Sequence, residues 1–203
     1  MKPTIKKLIE ALKTSSGTEI DLSGCGLGPL GASSVADYVR DATASVTTLV
    51  LDEGELSGTK IMDKGRSWEK IEQLDADLSG FEALCLALAS SQIITLSLKK
   101  CYLGPQAIAL LADATSKMAS IARISVLSNP IGVEGATALI DVYERNENLR
   151  TLLGIEEGVT ELNLAKKQVD PRQAMGLAKE LQTGRAQDSY KTVGGRVGQR
   201  VNT

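Results

Sequence analysis

The stretch that decides the fold runs from Ile124 to Tyr143 and reads ISVLSNPIGVEGATALIDVY. Ile124 and Val126 form an alternating apolar pair about Ser125, the pattern of a strand with one buried face. Asn129, Ile131, Gly132 and Gly135 follow. Ala136, Leu139, Ile140 and Tyr143 then recur at the spacing of a single helix face. The stretch therefore predicts a strand, a tight turn and a helix.

The same pattern occurs upstream. In EIDLSGCGLGPLGASSVADYV, from Glu19 to Val39, Ile20 and Leu22 take the strand positions, Cys25 the place of Asn129 and Leu27 that of Ile131. Gly31-Ala32 matches Gly135-Ala136. In TLSLKKCYLGPQAIALL, from Thr95 to Leu111, Leu96 and Leu98 form the pair, Cys101 takes the Asn position, and Gly104-Pro105 opens the helix. Proline is tolerated there because the first-turn N–H has no intrahelical partner. Two copies are degraded: Thr48 to Leu56, with Gly54 at the Asn position, and Glu161 to Leu181, with Lys167 there. In the latter, Asp170 is a plausible cap before Pro171, and Ala174, Leu177, Ala178 and Leu181 line one helix face. A truncated copy spans Leu149 to Leu153. Ile20 to Leu49 is 29 residues and Leu96 to Ile124 is 28, while Leu49 to Leu96 is 47, one period plus an insertion of about 19. Repetition at this period marks a repeat architecture.

The pattern L-x-L-x-x-(N/C)-x-L with a Gly-Ala helix, clearest in NPIGVEGATAL (129–139), CGLGPLGASSV (25–35) and CYLGPQAIALL (101–111), resembles the leucine-rich repeat of the ribonuclease-inhibitor type. The resemblance implies an α/β solenoid forming a short horseshoe arc, with parallel strands on the concave face and helices on the convex face. It implies protein binding as the usual activity. Residues 18–183 would form about five to six units, with an insertion near 57–77. Residues 1–17, with Ile5, Leu8, Ile9 and Leu12 on one face, read as an N-terminal capping helix, and 184–203 as a basic, Gly-rich tail. The small polar side chains at Cys25, Cys101 and Asn129 are expected to bond loop backbone at the strand-to-loop corner. Gly54 and Lys167 lack such a side chain, so looser corners are expected there. Outward strand positions such as Ser97, Lys99, Arg123 and Ser125 would form the open face.

The insertion, SGTKIMDKGRSWEKIEQLDAD, carries Trp68, the only tryptophan of the chain, with Lys64 and Arg66 beside it. Insertions in repeat proteins leave on one face and often touch partners, and tryptophan is enriched at binding hot spots. Asp75, Asp77 and Ser79 imitate the start of a calcium-binding EF-hand loop. Its twelfth position is Leu86 rather than the bidentate Glu, so Asp77 or Ser79 is expected to cap a helix instead. The tail holds Arg185, Lys191, Arg196 and Arg200 against Asp188. Its composition predicts disorder unless it lies on the end of the repeats or on a neighbouring subunit.

Composition narrows the chemistry. Of 203 residues, none is histidine, which removes the commonest general base and metal ligand. Cys25, Cys85 and Cys101 are odd in number and widely spaced, against a disulfide framework or structural zinc. A net charge of −2 offers no global attraction for nucleic acid, and no segment approaches a membrane span. Neither a P-loop nor a dinucleotide fingerprint is present. Asp52, Glu53 and Glu55 read as a solvated turn. The expectation is an intracellular, most naturally cytoplasmic, non-enzymatic interaction module without cofactor, metal or small-molecule substrate. It would serve as a scaffold or structural subunit of a larger complex. Contacts are expected at Trp68, Arg66, Lys64, Lys99, Arg123, Arg185, Lys191, Arg196 and Arg200. Regulation of a partner enzyme, as by a GTPase-activating protein, is the alternative that the resemblance implies.

Overall fold

The computed structural model describes residues 17–41, 46–66, 69–154 and 171–183. Strand β1 (Glu19–Asp21) leads to helix α1 (Gly28–Asp41). Next come β2 (Thr48–Val50), a hairpin of β3 (Lys60–Met62) and β4 (Lys70–Gln73), and helix α2 (Ser79–Ala89). Then follow β5 (Thr95–Ser97), α3 (Pro105–Lys117), β6 (Arg123–Ser125), α4 (Gly132–Arg145) and α5 (Pro171–Thr183). The expected capping helix, the strand of the last copy around Leu162 and the tail lie outside the described residues.

The chain is a mixed α/β structure with one parallel sheet in the order β1-β2-β5-β6. Ile20 pairs with Leu49, Leu49 with Leu96, and Leu96 with Ile124. Positions equivalent in sequence are thus neighbours in space. Parallel strands need a crossover, and α1, α2 and α3 lie in the three crossovers of this sheet. The helices pack in the same order, α1 on α2, α2 on α3, α3 on α4 and α4 on α5. Between the layers lies a core of aliphatic side chains in which Leu49, Leu51, Leu84, Leu88, Leu96, Leu98, Leu111 and Ile124 are fully buried. Each contributes about 1.5–3 kcal/mol from burial. Aromatics are scarce, so the layers can approach closely. A Cβ placed on Gly80 would stand 1.7 Å from the carbonyl oxygen of Pro29, which is why the first turn of α2 carries glycine where it meets α1.

The stretch from Leu149 to Leu153 joins the sheet beside β6. Thr151 bridges Arg123 and Leu153 bridges Ser125, with Leu149, Leu152 and Leu153 buried. Beyond it, on α5, Ala174, Ala178 and Leu181 are exposed, whereas Gly176 and Glu180 are buried. The reason lies in the sheet. The N–H groups of Leu152 and Leu153 point away from β6 and need acceptors. Glu180, 1% exposed, supplies them: its carboxylate accepts from both N–H groups, at 2.8 Å from Leu153, and from the Thr151 hydroxyl at 2.9 Å. Burial pushes the Glu180 carboxyl up to about 7 despite these three donors.

The sheet face turned from the helices is also less open than expected. Ser97 and Ser125 are buried. Ser97 donates to Asp52 Oδ1 at 2.7 Å, and Ser125 donates to the Leu153 carbonyl at 3.2 Å. Gly154 lies so close over Ser125 that a Cβ there would meet its Oγ at 2.5 Å.

Candidate interaction surface

Each strand leaves the sheet through one left-handed residue, four positions after the aligned apolar residue. These are Gly24, Glu53, Lys100 and Ser128, with φ of 65, 60, 53 and 61°. Only the first is glycine, so the other three sit in a region that costs a non-glycine residue ~1–2 kcal/mol. The residue that follows, at the Asn/Cys position, closes the corner. Asn129 Oδ1 accepts from the N–H groups of Cys101 at 2.9 Å and Leu103 at 3.0 Å. Its Nδ2 donates to the carbonyls of Leu98 at 2.8 Å and Val126 at 2.9 Å. One side chain therefore ties two successive units. Cys101 does the same more weakly, its thiol donating to the Leu51 carbonyl at 3.1 Å. Burial pushes the thiols of Cys85 and Cys101 up to about 12, which keeps both protonated, and all three cysteines are free. The Gly54 corner is not looser, contrary to expectation. It is buried, its carbonyl accepts from Gly28 N–H at 2.9 Å, and a Cβ would stand 2.8 Å from the Leu51 oxygen. Close packing replaces the missing side chain.

These corners face the insertion, which is an antiparallel hairpin. Its register sets Ile61 opposite Ile71, Met62 opposite Lys70 and Lys60 opposite Gln73, with an irregularity at Lys60/Ile61. The base is clamped by a small hydroxyl network. Thr59 Oγ1 donates to the Tyr102 carbonyl at 2.8 Å and accepts from Asp75 N–H at 3.1 Å, with the buried Ser57 hydroxyl 3.1 Å away. Asp75 then reaches the next helix. Its carboxylate accepts from the N–H groups of Gly104 at 2.8 Å, Gln106 at 3.0 Å and Ala107 at 3.1 Å, capping α3, whose own N-cap, Gly104, has no side chain. Asp77 holds the N–H and hydroxyl of Ser79 at the start of α2. The calcium-like acidic residues are thus spent on two helix starts. Among the described residues no group of three or more acidic or thiol side chains is arranged to hold a metal ion.

A third clamp lies nearer the tip. Tyr102 donates its hydroxyl to Glu69 Oε1 at 2.8 Å, and Gly65 N–H donates to Glu69 Oε2 at 2.8 Å. The Gly65 N–H, then the Tyr102 hydroxyl, hold the Glu69 carboxyl below its usual range. Lys64 pairs with Glu55 across the gap, and Lys100 pairs with Glu53 at 3.4 Å between neighbouring corners. Between hairpin and corners lies a cleft of about 750 Å³. Lys64, Arg66, Glu69 and Ile71 line its hairpin side, and Glu53, Glu55, Lys100 and Tyr102 its floor. Carboxylates and cations alternate along it.

Of the residues singled out from sequence, Lys64 and Arg66 are exposed on the hairpin and line this cleft. Lys99 and Arg123 are half-buried at the sheet and stand outside it. Trp68, Arg185, Lys191, Arg196 and Arg200 lie outside the described residues. Glu69 and Tyr102 went unnoticed in the sequence because their partnership spans 33 residues. The acidic turn at Glu53 and Glu55 was visible as a charge cluster, but its role in a cleft was not.

No family model matches the chain, and no curated protein matches it. Among solved structures it is similar to leiomodin-1 actin-binding site 2, at 11% identity and a TM-score of 0.53, covering 92% of each chain. At that identity the likeness is one of fold. It agrees with a mixed α/β chain of parallel strands and helices. No helix among the described residues is long and apolar enough to cross a membrane.

Proposed function

We propose that this chain is a leucine-rich-repeat solenoid acting as a non-enzymatic protein–protein interaction module, a scaffold or structural subunit of a larger complex. The observation that carries the reading is the clamped hairpin. Thr59, Asp75 and Glu69 tie a charged ribbon to the Thr95–Leu111 unit through Tyr102 and Gly104, which leaves less conformational entropy to be lost on binding. The absence of histidine and the protonated, buried thiols of Cys85 and Cys101 support a non-catalytic role. The fold-level likeness to an actin-binding site makes actin the first defined partner to test.

The full chain is expected to co-sediment with actin filaments or to capture actin monomers above a charge-matched control. Loss of both removes actin as the partner. The wider reading is tested by affinity capture with residues 61–71 replaced by a short Gly-Ser turn, and separately with the tail removed to leave 1–183. Partner recovery that survives both changes would place the contact elsewhere. Capture of no specific protein by the intact chain would sink the module reading.

A further inference from the structure

We infer that α5 is a releasable cap on the last unit, latched by the neutral acid form of Glu180 and let go when that carboxyl ionises. Little else seats the helix. Of its described side chains only Glu180 is buried, whereas Met175 and Leu181 are 48% and 53% exposed. Gly176 lies loosely over Leu153. A Cβ there would stand 3.9 Å from Leu153 Cδ1, whereas one on Gly135 of α4 would meet Ile108 at 3.1 Å. The Thr183 hydroxyl meets the Tyr143 hydroxyl at 2.8 Å, and Lys179 pairs with Glu144 at the surface. A partly exposed ion pair of that kind contributes little.

The hydrogen bonds suit a neutral acid. The N–H groups of Leu152 and Leu153 both fall on Glu180 Oε1, which as a carbonyl oxygen has two lone pairs to offer them. Oε2 meets the Thr151 hydroxyl at 2.9 Å, and a hydroxyl can accept as well as donate. With a proton on Oε2 the side chain therefore keeps all three bonds. Without it, the same bonds hold a charge removed from water. The charged groups on the surrounding elements are Lys179 on α5, Glu144 and Arg145 on α4, Arg150 beside Thr151, and Arg123 paired with Thr151 on β6. Lys179 is taken by Glu144, Arg145 and Arg150 are exposed, and none of the five forms an ion pair with Glu180. Burial accordingly raises the carboxyl from 4.5 to about 7. Released into water, it returns to its ordinary value. Docking of α5 is thus favoured most below pH 4.5, weakens as pH rises, and levels off above about pH 7. A terminal helix can open in this way while the rest of the fold stays closed.

The test is hydrogen–deuterium exchange of the full chain at pH 6 and pH 8, with the intrinsic exchange rate at each pH divided out. Protection of 171–183 is compared with that of α2 and α3. In the parent, protection of α5 is expected to fall by about tenfold from pH 6 to pH 8 while α2 and α3 hold. Glu180→Gln keeps a carbonyl oxygen for the two N–H groups and an amide for Thr151 without any charge, so α5 should stay protected at both pH values. Glu180→Ala removes the latch, and α5 should be poorly protected at both. Lys179→Ala removes the pair with Glu144 and should leave the fall between pH 6 and pH 8 in place. The inference is overturned if α5 in the parent is equally protected at both pH values, or if α2 and α3 lose protection in step with it. It is also overturned if Glu180→Gln shows the same fall as the parent, if Glu180→Ala is as protected as the parent at pH 6, or if Lys179→Ala abolishes the fall. None of these outcomes depends on a partner, so the protein-binding reading stands or falls separately.

Discussion

Asn129 satisfies backbone groups on two units with one amide, and a substitution there exposes how much the corner depends on it. Asn129→Ala would strand the buried N–H groups of Cys101 and Leu103, each worth ~1–3 kcal/mol when left unpaired. A loss of about 3 kcal/mol in urea unfolding is expected. Glu180 makes the opposite kind of prediction, because its carboxylate is held against its preference. Its folded pKa, about 7, lies above the ordinary 4.5, so the folded state keeps a proton that the unfolded chain has released. Its contribution to stability is therefore greatest below pH 4.5 and falls as pH rises to about 7, by ~3 kcal/mol at most. Melting temperatures at pH 5 and pH 8 should differ less in Glu180→Gln than in the parent. Equal pH dependence in both would show that Glu180 ionises as an exposed residue does. Asn129 was legible because its position repeats. Glu180 was not, since a glutamate beside Leu181 reads as solvated until the N–H groups it serves are known.

At the scale of elements, close approach competes with propensity. Gly80→Ala should favour the helix by ~1 kcal/mol on intrinsic grounds. The Pro29 carbonyl stands where the new methyl would go, and overpacking costs ~1–3 kcal/mol or more. Packing against backbone that cannot yield should win, and the variant should melt below the parent; a higher melting temperature would mean that α1 and α2 separate freely. Asp75 links two elements, and Asp75→Ala should cost about 1 kcal/mol through the α3 cap. It should also loosen the hairpin, read as faster tryptic cleavage after Lys64 and Arg66. Unchanged cleavage would mean that Thr59 and Glu69 suffice to hold the ribbon. The strands and helices were foreseeable from local periodicity. The hairpin was not, because Lys60–Met62 and Lys70–Gln73 are too short and too polar for alternation to stand out.

For the whole molecule, the hairpin is an addition to a sheet that pairs without it, since Leu49 meets Leu96 directly across the insertion. Replacing 61–71 by a Gly-Ser turn, with Thr59 and Asp75 kept, should alter the melting temperature by only a few degrees. Closure entropy changes slowly with loop length, ~0.6 kcal/mol per doubling, and ~1 kcal/mol corresponds to about 2–4 °C at this size. A collapse in stability would instead make the hairpin part of the core. A stable variant that no longer captures partner would separate scaffold from contact surface.

By itself the sequence determined the order of the parallel strands and of the helices between them, their register and the corner residues, because a burial pattern that recurs at 28 or 29 residues, interrupted by the insertion, is satisfied by stacking equivalent positions. The tertiary structure decided how the irregular parts are used. Asp75 could have bound a cation or lain in solvent, but the bare start of α3 stood within reach. Glu180 could have faced water, but the N–H groups of Leu152 and Leu153 required an acceptor. Ser97 and Ser125 could have been open, but Asp52 and Leu153 close over them. In each case the partner lies 27 to 45 residues away along the chain, and no local pattern encodes a hydrogen bond across that separation.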